Sequence, residues 1–146
     1  PASNGRSMTR LAVLVACLAL PLTAAAAAPA DSVPGSVGFA SRTDPQAGRP
    51  FAGYVLVLPA AARRTLVSVA ATCPATVLGR AVRGRATRVP AGDPLPAVLV
   101  CTWSIPRDRV GWTFRGRMDL DLERRVGDAV ELERVEGRTT AWTIQP

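Results

Sequence analysis

The chain has 146 residues, enough for one domain with a single core. Hydrophobic residues make up 48% of it, but many are alanines that bury little area each, so we expect the core to need additional stabilisation. All 18 basic residues are arginines, and the absence of histidine excludes histidine-based zinc sites and Cys-His nucleophile pairs. This usage, together with abundant alanine, glycine and proline, indicates a bacterium with a GC-rich genome.

The first thirty residues have the organisation of an export signal. From Met8 they show a positive n-region, an apolar run over residues 11–22 and an Ala-Pro-Ala site at residues 28–30. This order predicts a Sec signal peptide cleaved after Ala30, with residues 1–7 lying upstream of the true start. The mature chain then carries sixteen arginines against eleven acids, a net charge of +5, which supports nucleic-acid binding only weakly.

Two other interpretations of this segment stay open. An uncleaved membrane anchor would use the same apolar run, although its second half is alanine interrupted by Pro21 and Pro29. The sequence Leu14-Val-Ala-Cys17 resembles a lipobox, at which bacterial lipoproteins are cut and acylated on cysteine. We therefore expect a secreted or cell-surface protein that contacts membrane only through the signal segment or a lipid on Cys17.

The residues after position 30 alternate between apolar and polar side chains and show no sustained helical periodicity, which predicts an almost wholly β domain. Residues 31–46 are expected to form a flexible entry segment with one short edge strand at 37–40, and residues 47–146 the folded domain. A hairpin is predicted around Arg83-Gly84-Arg85, and a proline-rich turn at residues 90–96. The further strands are predicted at 51–58, 66–73, 76–82, 86–89, 97–105, 112–122, 129–135 and 140–144. About seven short strands separated by turn signals are typical of an antiparallel β-sandwich, with a small closed barrel as the alternative.

The clearest alternation runs from Trp112 to Leu122. One parity is apolar and predicts a core face, whereas the other is charged and predicts a solvated face. Asp119, Asp121 and Glu123 share that charged face, where they could form a paired-carboxylate or calcium site. Neighbouring arginines account for the same pattern without any ligand, so we predict no catalytic or metal site and no cofactor.

Cleavage would leave Cys73 and Cys101 as an even pair in an oxidising compartment, which favours a disulfide. Both cysteines fall on the apolar parity of their strands, so both sulfur atoms are expected to point into the core. A cross-link over this separation contributes about 3–4 kcal/mol in the chain-entropy model. The disulfide would thus offset the alanine-rich composition.

The sequence Cys101-Thr-Trp-Ser-Ile-Pro106, followed by Gly111-Trp-Thr-Phe-Arg-Gly116, resembles the immunoglobulin-like modules of exported actinobacterial proteins. The likeness covers about residues 47–144 and implies a sandwich that serves as a spacer, an adhesive unit or an appended domain. Antibody domains place tryptophan between their cysteines, whereas Trp103 follows the second one here. The resemblance therefore implies sandwich architecture and no active site.

Two groups of side chains are candidates for binding. Arg80, Arg83, Arg85 and Arg88 fall in the predicted hairpin and could dock an anionic surface. Trp103, Trp112 and Trp142 lie on apolar parity, which favours the core over a glycan-stacking platform. We expect a non-enzymatic exported structural or interaction module with a protein or cell-wall glycan partner; a small secreted enzyme or enzyme inhibitor is the alternative.

Overall fold

We describe residues 37–146 from a computed structural model. The predicted signal peptide, its cleavage site and Cys17 lie outside the described residues. Within residues 37–146 the chain forms eleven strands and one short helix, and no helix in this range is long and apolar enough to cross a membrane. The elements are β1 (Val37–Ala40), β2 (Pro50–Val57), α1 (Ala60–Arg63), β3 (Leu66–Thr72), β4 (Ala75–Val77), β5 (Arg80–Ala81), β6 (Gly84–Val89), β7 (Val98–Ser104), β8 (Thr113–Gly116), β9 (Asp119–Val126), β10 (Ala129–Val135) and β11 (Thr140–Thr143).

Every pair of these strands is antiparallel, so the prediction of an all-β fold with antiparallel sheets is confirmed. One sheet has the order β1-β2-β7-β6, with β7 as a central strand. Leu99, Cys101 and Trp103 of β7 are fully buried on the inner face of this sheet. The alternating residues of β7 are valine and threonine and are half-buried on the other face, which is why the segment reads as apolar on both sides.

The second layer is formed by two long antiparallel segments of the chain, β3–β4 and β8–β9, which both bend at the same level. β3 pairs with β9 in one sheet (β10-β9-β3), and their continuations β4 and β8 pair in another (β11-β8-β4-β5). The bend falls at Cys73-Pro74 on one chain and at Arg117-Met118 on the other, where the Arg117 amide donates to the Pro74 carbonyl. Proline has no amide hydrogen to continue the ladder, so a break at this position is expected.

The prediction of one continuous strand from Trp112 to Leu122 is therefore wrong. The segment supplies β8 to one sheet and β9 to another. The alternation nevertheless continues through the corner: Phe114, Met118, Leu120 and Leu122 are all buried. Periodicity reports which side chains face the core, and it does not report which neighbours a strand has.

The predicted hairpin of residues 76–82 with 86–89 is also wrong. β4 and β5 make their own hairpin through Leu78-Gly79, and β6 pairs with β7 of the other sheet. The segment around Arg83 is thus a crossing between sheets and not a turn between paired strands.

Aromatic side chains fill the core at the end where β7 finishes. Phe51, Trp103, Phe114 and Trp142 pack with ring centroids 5.2–6.3 Å apart, and three of their six ring pairs meet edge to face. β2 carries a bulge at Gly53, where a Cβ atom would stand 2.6 Å from the Trp103 ring. Glycine at this position lets the backbone of β2 lie directly against the indole.

The predicted disulfide is present between Cys73 and Cys101. Cys73 lies at the corner between β3 and β4, whereas Cys101 lies on β7. The bond therefore joins the bent layer, which contains β3 and β4, to the β1-β2-β7-β6 sheet.

Candidate functional site

The structure distributes the four arginines predicted as a patch over several surfaces. Arg80 lies on β5 and Arg83 in the connection to β6; both are exposed. Arg85 pairs with Thr102 on the outer face of the β1-β2-β7-β6 sheet. Arg88 pairs with the buried Leu99 on the opposite, inner side and is half-buried at the sheet edge. The four arginines therefore do not form one patch, since Arg85 and Arg88 alone already point to opposite faces of their strand.

Arg80 lines a surface cleft of about 470 Å³. The β4–β5 hairpin forms one wall, and the loop between β7 and β8 forms the other. The volume lies within the range of ligand sites in proteins, although towards its lower end. The lining side chains are Val77, Leu78, Arg80, Ala81, Val82, Pro106, Asp108, Arg109 and Trp112.

The lip of the cleft carries a leucine in an unfavourable conformation. Leu78 has φ = 49° and Gly79 has φ = 74°, as a two-residue turn with two left-handed positions requires. Asparagine, aspartate or glycine normally occupies the first of these positions, because the left-handed conformation costs a residue with a larger side chain about 1–2 kcal/mol. Leu78 is nevertheless 66% exposed, so the strain is not offset by burial of its side chain in the core.

The opposite wall is built on Trp112, which is half-buried, whereas Trp103 and Trp142 lie inside the core. The Arg109 guanidinium stands 4.5 Å from the centre of the Trp112 ring and 3.4 Å from an Asp108 carboxylate oxygen. The Arg109 guanidinium thus lies between an aromatic face and an acid. One face of Trp112 is occupied by this contact.

Further arginines lie on segments near the end of β7 because of the sheet topology. The Ser104 amide at the end of β7 donates to the Arg83 carbonyl, and the next amide, of Ile105, donates to the Arg49 carbonyl. Arg107 follows in the β7–β8 loop, with its side chain against Gly48, where a Cβ atom would stand 2.6 Å from Arg107 Cγ. We call this surface the basic end; its members are Arg49, Arg80, Arg83, Arg107 and Arg109.

The basic end has few compensating acids. Among the described residues, ion pairs are found for Arg109, Arg117, Arg124 and Arg134, so four of the five arginines of the basic end have none in that range. Asp44, which also lies near this end, accepts from the Thr143 amide and the Gln145 side chain. The surface around the cleft is therefore positive, with Asp108 as the one acid in its lining.

The three carboxylates of β9 are each engaged within the protein. Asp119 accepts from the Arg117 Nε and from the Gly137 amide, both at about 3.0 Å. Glu123 accepts from the Ser68 hydroxyl at 2.8 Å, and Asp121 accepts from Arg134 Nε at 2.7 Å. The hydrogen bond from Arg134 holds the pKa of Asp121 below its ordinary value. In residues 37–146 no group of three or more histidine, cysteine or acidic residues is arranged to hold a metal ion.

Comparison with known proteins gave no match, whether against family models, curated proteins or solved structures. The residues and geometry of this chain therefore carry the functional argument alone.

Proposed function

We propose that this protein is an exported, non-enzymatic interaction module of bacterial origin, with an immunoglobulin-like sandwich as its framework and the basic end as its binding site for an anionic partner. The observation that carries the proposal is a concave, partly apolar cleft lined by Arg80 and Arg109, at the end of the fold that also holds Arg49, Arg83 and Arg107. Guanidinium groups make paired hydrogen bonds to carboxylate and phosphate oxygens, and four of these five have no ion pair within residues 37–146.

The framework supports this role because it connects both walls of the cleft to the body of the domain. The wall that bears Trp112 is joined to Ile144, the residue after β11, by two backbone hydrogen bonds, from the Gly111 amide to the Ile144 carbonyl and from the Ile144 amide to the Trp112 carbonyl. The other wall continues from β4, which starts two residues after the disulfide-bonded Cys73. A site built on such elements loses little conformational entropy on binding.

Binding to two immobilised polyanions, poly-glutamate and polygalacturonate, tests the site. Arg80→Glu with Arg107→Glu should weaken the binding of the wild-type protein to at least one polymer by tenfold or more. The matched control is Arg85→Glu with Arg125→Glu, which changes the net charge equally on exposed residues outside the basic end. Equal losses in both double variants would show attraction by total charge alone, and no binding by the wild type would overturn the proposal.

Export is tested separately. The intact mass of the protein recovered outside the producing cells should correspond to a chain that begins at Asp31. A mass that retains Cys17 with added lipid would replace the free form with a lipid-anchored one, and a chain retained in the cytoplasm would remove export from the proposal.

A further inference from the structure

We infer that the cleft takes an acidic peptide segment with one large apolar side chain, so that the natural partner is a protein. The inference rests on the proposed function and identifies the partner of the same site. It follows from three properties of the cleft: its exposed leucine, its tryptophan with one face covered by an arginine, and the arginines that line it.

The first property is the conflict at Leu78. A leucine with φ = 49° and 66% of its surface exposed destabilises its own turn and adds nothing to the core. Strained positions of this kind are concentrated at functional sites, where the side chain itself is needed. Leu78 projects an aliphatic side chain at the lip of the cleft, and Val110, 46% exposed, lies in the loop that forms the other wall. Aliphatic side chains of this kind are matched by an apolar side chain of the partner.

The second property, the covered face of Trp112, favours a peptide over a glycan as the ligand. Sugar rings are commonly held on a free aromatic face, but one face of Trp112 lies against the Arg109 guanidinium. Tryptophan, arginine and an adjoining apolar cavity are instead the typical composition of the energetic centre of protein interfaces. A cavity of about 470 Å³ is large enough for one bulky side chain together with some of the flanking peptide.

The third property sets the charge of the segment. Arg80 and Arg109 line the cavity itself, whereas the other arginines of the basic end lie on segments next to the end of β7. A partner that inserts an apolar side chain would thus place its flanking residues beside guanidinium groups, which favours glutamate or aspartate on either side of the anchor.

Fluorescence anisotropy with labelled hexapeptides provides the test. The probe has phenylalanine among glutamates; one control peptide replaces phenylalanine by alanine, another replaces the glutamates by lysines, and a labelled galacturonate hexamer represents an acidic glycan. We expect the probe to bind at least tenfold more tightly than all three, with an affinity that decreases as salt is raised.

Two protein variants separate binding from folding. Leu78→Asn should relieve the backbone strain of the turn and raise the melting temperature by about 3 °C or more. The same substitution should weaken binding of the probe peptide at least fivefold. Leu132→Asn changes another leucine, 74% exposed on β10, and should leave the affinity unchanged. A more stable but weaker-binding Leu78 variant cannot be explained by loss of structure.

The inference is overturned if the alanine peptide or the galacturonate hexamer binds as well as the probe, if Leu78→Asn has no effect on probe binding, or if the wild type does not bind the probe at millimolar concentration. Retention of poly-glutamate or polygalacturonate through Arg80 and Arg107 would in those cases leave the proposed function standing without the apolar anchor.

Discussion

The indole nitrogen of Trp103 donates a 2.8 Å hydrogen bond to the carbonyl oxygen of Cys73. Cys73 is also bonded to Cys101, two residues before Trp103 on β7, so the corner of the bent layer is fastened twice to the same strand. Gly84 of the neighbouring β6 lies against this contact: a Cβ atom there would collide with the Cys73 oxygen. A tryptophan after the second cysteine thus connects the two layers, as the disulfide does.

Trp103→Phe should destabilise the domain by about 2–3 kcal/mol, because it leaves a partly buried carbonyl without its donor and removes part of a fully buried ring. Urea denaturation measures the change. Trp112→Phe is the control at a half-buried position and should cost about 1 kcal/mol or less. Equal costs for the two substitutions would contradict the structural role assigned to Trp103.

Reduction of the disulfide should lower the free energy of unfolding by about 3–4 kcal/mol, since it releases a loop closed over a separation of 28 residues. Denaturation with and without a thiol reductant measures this loss. Thiol labelling of unreduced, denatured mature protein should detect no free cysteine, and the presence of two reactive thiols at full stability would refute the bond.

The strand pair β9–β10 offers a matched comparison of two leucines. Leu122 is completely buried, whereas Leu132 on the paired strand is 74% exposed. We expect Leu122→Ala to destabilise by about 2–5 kcal/mol and Leu132→Ala by about 0.5 kcal/mol or less. Comparable losses would mean that the face assigned to the core is wrong.

The Asp121–Arg134 pair predicts a pH dependence of stability. The hydrogen bond from Arg134 lowers the pKa of Asp121 in the folded protein below its ordinary value of 3.8, so the pair stabilises above that pH and the contribution is lost as pH falls through the lowered value. Asp121→Asn should therefore lower the melting temperature at neutral pH, and the difference from wild type should vanish in strong acid. The effect should be small and salt-sensitive because the pair is exposed. A difference that grows towards acid pH would contradict this assignment.

Calcium should leave the melting temperature unchanged within about 1 °C, because a ligand stabilises a protein only when the folded state binds it. The three carboxylates that could have served as calcium ligands are held by Arg117, Arg134, Ser68 and a backbone amide. Thermal melts in millimolar calcium and in chelator compare the two states. A rise that disappears in Asp119→Asn would establish a metal site on this face.

Much of the strand pattern could be predicted from alternation, because burial repeats every two residues wherever one face of a strand meets the core. β2 and β7 were predicted within one or two residues of their observed ends. Leu66 shows where parity fails. Simple alternation with the fully buried Val69 puts Leu66 on the outer face of its strand, yet Leu66 is buried, since the ladder with β9 shifts register between Leu66 and Ser68.

The candidate site was less accessible to sequence reasoning. The sequence predicts Arg80 and Arg83 as binding residues, but it places them in one patch with Arg85 and Arg88 because it predicts a hairpin there. Arg49 and Arg107 join the site because β2 and β6 flank β7, a relationship among distant segments that no local pattern reveals. The one local signal was Leu78-Gly79, where glycine marked a turn and the preceding leucine concealed it.

The direction of β7 has a consequence for how the protein would be displayed. The basic end lies where β7 finishes, whereas Val37 of β1 pairs with Val57, which in turn pairs with Val98 at the start of β7. The described chain thus begins at the pole opposite the arginines. An attachment made through earlier residues, such as a lipid on Cys17, would enter the described domain about the length of a seven-residue strand, or ~23 Å, away from the basic end.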